Sequence, residues 1–113
     1  MIPATYNLPD AYRGDSYGPL TFYFNDASGN AISLQDGSGL LQVKSKRNSC
    51  VALEWNSEDN SIIISGNQLI LAQKSGVEME IPAQTYNYDL QVYQSGVTST
   101  YIKGDFLIYQ DVT

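Results

Sequence analysis

The chain has 113 residues, 42% hydrophobic and 16% charged, a size and balance that suit one ordered core and exclude an intrinsically disordered chain. Its net charge of −6, from 12 acidic against 6 basic residues, and its small basic cluster of Lys44, Lys46 and Arg47 exclude the broad cationic footprint that a phosphate backbone requires. It has no His, and no run approaches the roughly 18 apolar residues that span a bilayer, so neither nucleic acid nor membrane is an expected partner.

The opening Met1-Ile2-Pro3-Ala4-Thr5-Tyr6-Asn7-Leu8-Pro9 lacks the basic start and apolar stretch of a signal peptide; the expectation is a chain made and kept soluble. The first strand follows where Leu20, Phe22 and Phe24 share one face and Thr21 and Tyr23 the other. The turn formers Asn25-Asp26-Ala27-Ser28-Gly29-Asn30 then predict a hairpin loop leading into Ala31-Ile32-Ser33-Leu34. Leu41 and Val43 point inward and Gln42 and Lys44 outward. After a polar turn at Ser45 to Ser49, Val51, Leu53 and Trp55 form the inward set of the next strand, with Trp55 as a core anchor. Cys50, the only cysteine, cannot form an internal disulfide and reads as a small core hydrophobe.

Asn56-Ser57-Glu58-Asp59-Asn60 predicts a turn, and Ile62-Ile63-Ile64 a strand covered on both faces. Leu69 and Leu71 follow the Gly66-Asn67 break, and a single helical turn fits around Ala72 to Gly76. The alternation Val77-Glu78-Met79-Glu80-Ile81 predicts a strand with both carboxylates on its solvent side, stopped by Pro82. Tyr86, Tyr88, Leu90 and Val92 are the next inward set. A tight Gln94-Ser95-Gly96 turn returns the chain through Val97 to Tyr101, and Lys103-Gly104-Asp105 is expected to open a separate final strand running to Thr113. These elements predict seven to nine short strands in an all-β sandwich, a single domain over residues 1–113.

Four features invite a chemical reading. Arg13-Gly14-Asp15 could dock an integrin, but a Gly-Asp pair before a strand is ordinary turn chemistry. The loop Asn25 to Asn30 carries oxygens at short spacing but lacks the glycine and glutamate placement of a calcium loop. Glu78 and Glu80, both facing solvent on one strand, lack the desolvation that separates the two carboxyl groups of a glycosidase. The nine Tyr residues are the larger signal, because tyrosine supplies amphipathic contact area. Tyr86 and Tyr88 belong to the core, while Tyr6, Tyr12, Tyr17, Tyr23, Tyr93 and Tyr109 are candidate surface anchors. With no His, no phosphate-binding glycine loop and no metal-ligand cluster, the expected catalytic, cofactor-binding and metal residues are none, and the expected protein is not an enzyme.

The order of features supplies a resemblance. The first half carries Arg13-Gly14-Asp15, Phe22-Tyr23-Phe24, Gly29-Asn30-Ala31-Ile32-Ser33-Leu34 and Leu41-Gln42-Val43-Lys44. The second half carries Val51-Ala52-Leu53-Glu54-Trp55, Ile62-Ile63-Ile64, Ile81-Pro82-Ala83, Tyr86-Asn87-Tyr88-Asp89-Leu90, and Lys103-Gly104-Asp105-Phe106 leading to Asp111-Val112-Thr113. This series, over nearly the whole chain, resembles the small immunoglobulin-like proteins of tailed-phage virions and is similar to the N-terminal domain of phage baseplate upper proteins.

The resemblance implies an immunoglobulin-like antiparallel β-sandwich and a non-enzymatic structural role in the virion, assembled in the host cytoplasm. Its implied partners are other virion proteins of the tail, baseplate, neck or capsid, and it implies a symmetric homo-oligomer in the particle. Since the chain ends at Thr113 without the downstream helical or fibre region of the longer members, a stand-alone sandwich is the expectation. A capsid decoration protein and a carbohydrate-binding module for host-surface glycans are the alternatives.

Overall fold

The computed structural model describes residues 4–25, 28–34 and 36–110. Those residues are nearly all β, in two sheets compatible with a β-sandwich. Nine strands follow in chain order: β1 (Ala4–Thr5), β2 (Ala11–Tyr12), β3 (Leu20–Tyr23), β4 (Ser38–Ser45), β5 (Val51–Asn56), β6 (Ile62–Ser65), β7 (Gln68–Leu71), β8 (Thr85–Gln94) and β9 (Val97–Tyr109). The larger sheet has six strands in the order β1-β9-β8-β4-β5, with β2 also on β9; the smaller has three, β3-β7-β6.

Turn chemistry sets the hairpins. Ser57–Asp59 forms a short 3₁₀ turn between β5 and β6, with the Asn56 side chain accepting from the Glu58 amide at its start. Gly66, at φ 63°, is the first of two residues between the paired Ser65 and Gln68, the position where a two-residue hairpin favours glycine. Ser95 and Gly96, at φ 53° and 81°, close β8 onto β9, both in the left-handed region that right-twisted hairpins need.

One core lies between the sheets. From the larger come Leu41, Val43, Trp55, Leu90, Val92 and Phe106, and from the smaller Ile62, Leu69 and Leu71, all at most 3% exposed. A side chain at Gly39 on β4 would meet Ile62 and Leu69 at 3.2–3.3 Å, so the absence of a Cβ there lets the sheets approach. Trp55 is fully buried as expected, and its indole N–H donates to the Ala72 carbonyl at 2.8 Å. The inward set Tyr86, Tyr88, Leu90 and Val92 is also buried as its alternation requires.

The segment before β3 takes a course that its sequence does not announce. β1 and β2 run parallel to β9, pairing Ala4 with Ile102 and Ala11 with Ile108. Between them the Tyr6 amide donates to the Lys103 carbonyl at 2.9 Å and the Leu8 amide to Asp105 at 3.0 Å. Three buried phenols fasten irregular backbone: Tyr17 donates to the Pro9 carbonyl, Tyr86 to Pro82 and Tyr88 to Tyr6.

Several expectations are corrected. Lys103-Gly104-Asp105 is not a turn: β9 is continuous from Val97 to Tyr109. Gly104 is needed because a Cβ there would collide with the Tyr6 carbonyl. Val77 to Ile81 is not a strand; a turn at Gly76 to Met79 stands there, displaced C-terminally from the helical turn expected around Ala72 to Gly76. The Met79 amide donates to Ser75 and Gly76 carbonyls, and Met79 enters the core while Val77 is exposed. Ile62-Ile63-Ile64 is covered on one face only: Ile62 enters the core, whereas Ile63 points to the outer face of the smaller sheet and is 52% exposed.

Cys50 is exposed. It and the half-exposed Val51 lie at the end of the β4–β5 hairpin, past the register shift at Val43/Lys44, where the ladder outruns the core. Ala31 makes only an isolated bridge to Asn25, and Ile32 to Leu34 form no strand. Asp26 and Ala27 of the expected hairpin loop lie outside the described residues, as do Met1-Ile2-Pro3 and the expected end of the final strand, Asp111-Val112-Thr113.

Candidate binding surfaces

The motifs that looked most chemical are occupied with structure. Arg13-Gly14-Asp15 forms a tight turn: the Arg13 amide donates to Tyr109 at 2.9 Å, Gly14 to Met79 at 3.2 Å and Asp15 to Tyr12 at 3.1 Å. Both Arg13 and Gly14 are partly buried. Glu78 caps the next turn reciprocally, accepting from the Ser75 amide at 3.1 Å while the Glu78 amide donates to Ser75 Oγ at 3.2 Å. The Ser75 amide, and to a lesser degree the Lys74 ammonium, hold its carboxyl below the ordinary carboxylate value. Glu80 is exposed. Among the described residues, no group of three or more His, Cys, Asp or Glu is placed to hold a metal ion.

Lys74 plugs an edge. It is 9% exposed, and its ammonium donates to the Glu54 carbonyl at 2.6 Å, lies 5.1 Å from the Trp55 ring centre and stands 3.6 Å from Glu78. With Ser61, whose hydroxyl accepts from the Asn56 amide at 2.7 Å, it occupies backbone groups on the open side of β5 and so blunts that edge against strand addition.

Of the six candidate tyrosine anchors, Tyr6, Tyr12, Tyr23, Tyr93 and Tyr109 are exposed, whereas Tyr17 is only 7% exposed. Tyr17 packs on Phe106 and Trp55, with ring centres 5.1 and 6.4 Å apart, and the same burial pushes its phenol pKa up. Tyr12 and Tyr109 are register partners and stand 5.4 Å apart. The Tyr109 hydroxyl lies 3.3 Å from Asp10 Oδ2, and this carboxylate raises its pKa.

The two sheets turn different chemistry outward. On the smaller, the rung Thr21–Ile70–Ile63 lies beside the rung Tyr23–Gln68–Ser65. Ile63 and Tyr23 are 52% and 64% exposed, and β3 and β6 each have one edge without a strand partner among the described residues. On the larger, the register sets Glu54, Gln42, Asp89 and Lys103 in one row and Lys44, Asn87 and Asp105 in the next. Gln42 donates to Glu54 at 2.9 Å, and Lys46 pairs with Asp105 at 3.0 Å. A depression of about 500 Å³ lies over these rows.

The outward set of β8 was visible in the sequence only as the complement of Tyr86, Tyr88, Leu90 and Val92. Nothing local indicates that Asn87 and Asp89 meet Gln42, Lys44 and Lys103; that requires the register. Comparison with protein-family models finds no match to the chain, and comparison with curated proteins finds none.

Proposed function

We propose that the chain is a non-catalytic structural module of a tailed-phage virion, an immunoglobulin-like sandwich that docks on the tail, baseplate or neck by protein–protein contacts. The observation that carries this reading is the bare outer face of the smaller sheet, where Ile63, Ile70 and Tyr23 lie between two open edges. An apolar strip flanked by unpaired strand edges is suited to burial against another protein. The ordered sequence resemblance supplies the virion context.

Docking there would bury the Ile63 and Tyr23 side chains and allow a neighbouring strand to extend the sheet. The expected partners are other virion proteins, with copies of the chain repeated by the symmetry of the ring they join. Quantitative mass spectrometry of purified particles, scaled against the major capsid protein, tests the reading. Copies in small multiples of three or six support a tail, neck or baseplate position; hundreds of copies support the capsid decoration alternative. Absence from particles, with no binding to other virion proteins, overturns both.

A further inference from the structure

We propose that the outer face of the larger sheet is a second, independent binding site, a trough that takes an uncharged oligosaccharide laid along strands β8 and β9. Three depressions follow one another on this face. At one end, an open hollow of about 270 Å³ is lined by Asn7, Asp10, Thr85, Asp105 and Leu107. The central hollow of about 500 Å³ shares Asp105 with it and adds Gln42, Lys44, Asn87, Asp89 and Lys103. At the other end, about 220 Å³ lies among Leu40, Asn56, Gln91, Tyr93 and Thr98. From Thr85 to Tyr93 the trough follows β8 for roughly 26 Å at the rise of an extended strand, the length of a short sugar chain.

The lining selects the occupant. The outward positions Thr85, Asn87, Asp89 and Gln91 of β8 are a hydroxyl, two carboxamides and a carboxylate, and the half-buried Leu40 and Leu107 lie apart in the two end hollows, so the face lacks the apolar centre that a protein interface buries. A polyanion meets Glu54, Asp89 and Asp105 on the same rows as Lys44 and Lys103, and Lys46 is already paired with Asp105; a phosphate backbone needs an excess of cations instead. A sugar hydroxyl both donates and accepts, and carboxamides beside carboxylates and ammonium groups answer it in both senses. Among the described residues, no hydrogen bond joins the side chains of Asn87, Asp89 and Gln91 to another protein group, so on this exposed to half-exposed face they are left to solvent or to a ligand.

The ends carry aromatic faces. Tyr93, 52% exposed, lines the far hollow. Tyr109 and Tyr12 stand at the near end, with Asp10 beside the Tyr109 hydroxyl. An exposed phenol ring offers a flat apolar surface with a polar rim, which matches the apolar face and equatorial hydroxyls of a pyranose. Polar groups thus lie in the middle and rings toward both ends of one ladder, whose register sets the order of these groups along β8 and β9.

The test uses the whole chain, ¹⁵N-labelled and titrated with an array of neutral hexose and N-acetylhexosamine oligosaccharides. The expected result is amide shifts confined to β8, β9 and β4 with at least one of them, at a dissociation constant of about 1 mM or tighter. Asn87→Ala and Gln91→Ala are each expected to weaken binding about tenfold while the folded spectrum is kept, and Ile63→Ser on the opposite face is expected to leave it unchanged. Silence across the array, shifts on the smaller sheet instead, or binding only to a sulfated polyanion that vanishes with added salt would overturn the proposal. Particle incorporation is read separately, so loss of sugar binding and loss of the virion role are distinguishable.

Discussion

The outer faces of the two sheets obey the same period-two rule and reach opposite chemistry. On the three-stranded sheet the outward central rung is Thr21–Ile70–Ile63; on the six-stranded sheet the two central outward rungs, Glu54–Gln42–Asp89–Lys103 and Lys44–Asn87–Asp105, are amides, carboxylates and ammonium groups. The inward faces, by contrast, are alike and merge into one core. Burial therefore dictates the inner half of each strand, while the outer half is free to record what each face meets. A solvated face needs no Ile63 at half exposure, and an edge strand carrying it is open to association. The larger sheet, in contrast, has its β5 edge plugged by Lys74 and its β9 edge followed by residues 4–12.

The strongest way to break the contrast is to remove what both faces share. Trp55→Ala deletes a fully buried ring and leaves the Ala72 carbonyl without its indole donor. A loss of about 3–5 kcal/mol is expected, measured by urea denaturation, and both faces should fail together because Trp55 stands between the sheets. If one sheet's amides remained protected from hydrogen exchange while the other's opened, the single-core account would be wrong.

A smaller perturbation separates the sheets. Tyr88→Phe removes the hydroxyl that donates to the Tyr6 carbonyl and is expected to cost about 1 kcal/mol. Faster exchange should appear at the Tyr6 and Leu8 amides on the β9 edge and not on β6 or β7. High pH acts on the same group. Burial raises the pKa of Tyr88 and Tyr17, so the unfolded chain loses its phenolic protons first. The stabilisation is whole below about pH 10, the ordinary phenol value, and declines as pH rises beyond it toward the folded values. Denaturation midpoints measured across that range should fall more steeply for the wild type than for Tyr88→Phe.

At the smaller sheet's surface, Ile63→Ser is expected to change stability by no more than about 0.5 kcal/mol, because the side chain is half exposed. Its consequence should lie in assembly. A variant with an unchanged denaturation midpoint that no longer enters particles would place the contact on this face, and unimpaired incorporation would move it elsewhere.

The period-two pattern made the inward residues of β4, β8 and much of β5 legible, because each alternates over several residues between turn signals. It misled at Val77 to Ile81, where two Glu and three apolar residues alternate as well as any strand. There the Ser75 and Glu78 cap and the single buried Met79 decide for a turn. β1 and β2 were illegible: two residues each, separated by a proline-containing loop, they exist only because β9 offers an edge. The trough was half legible, as a list of outward polar residues whose neighbours depend on cross-strand register.

The smallest expected effect concerns that cap, which joins the two sheets. Lys74 holds the β5 edge, Met79 fills the core and its carbonyl receives the Gly14 amide, so the turn between them is placed where the contrast between the faces begins. The Ser75 amide and Lys74 lower the Glu78 pKa, and hydrogen bonds from Ser61 lower that of Asp59 in the 3₁₀ turn. Each contribution is present above the ordinary carboxylate pKa and is lost as pH falls through the lower folded value. Both carboxylates are exposed at the surface, so only a shallow decline in stability toward low pH is expected. Glu78→Gln should flatten part of that decline and speed exchange of the Ser75 amide, leaving the β6 and β7 amides unaffected. A steep acid transition abolished by this one substitution would instead make the cap a principal support of the core.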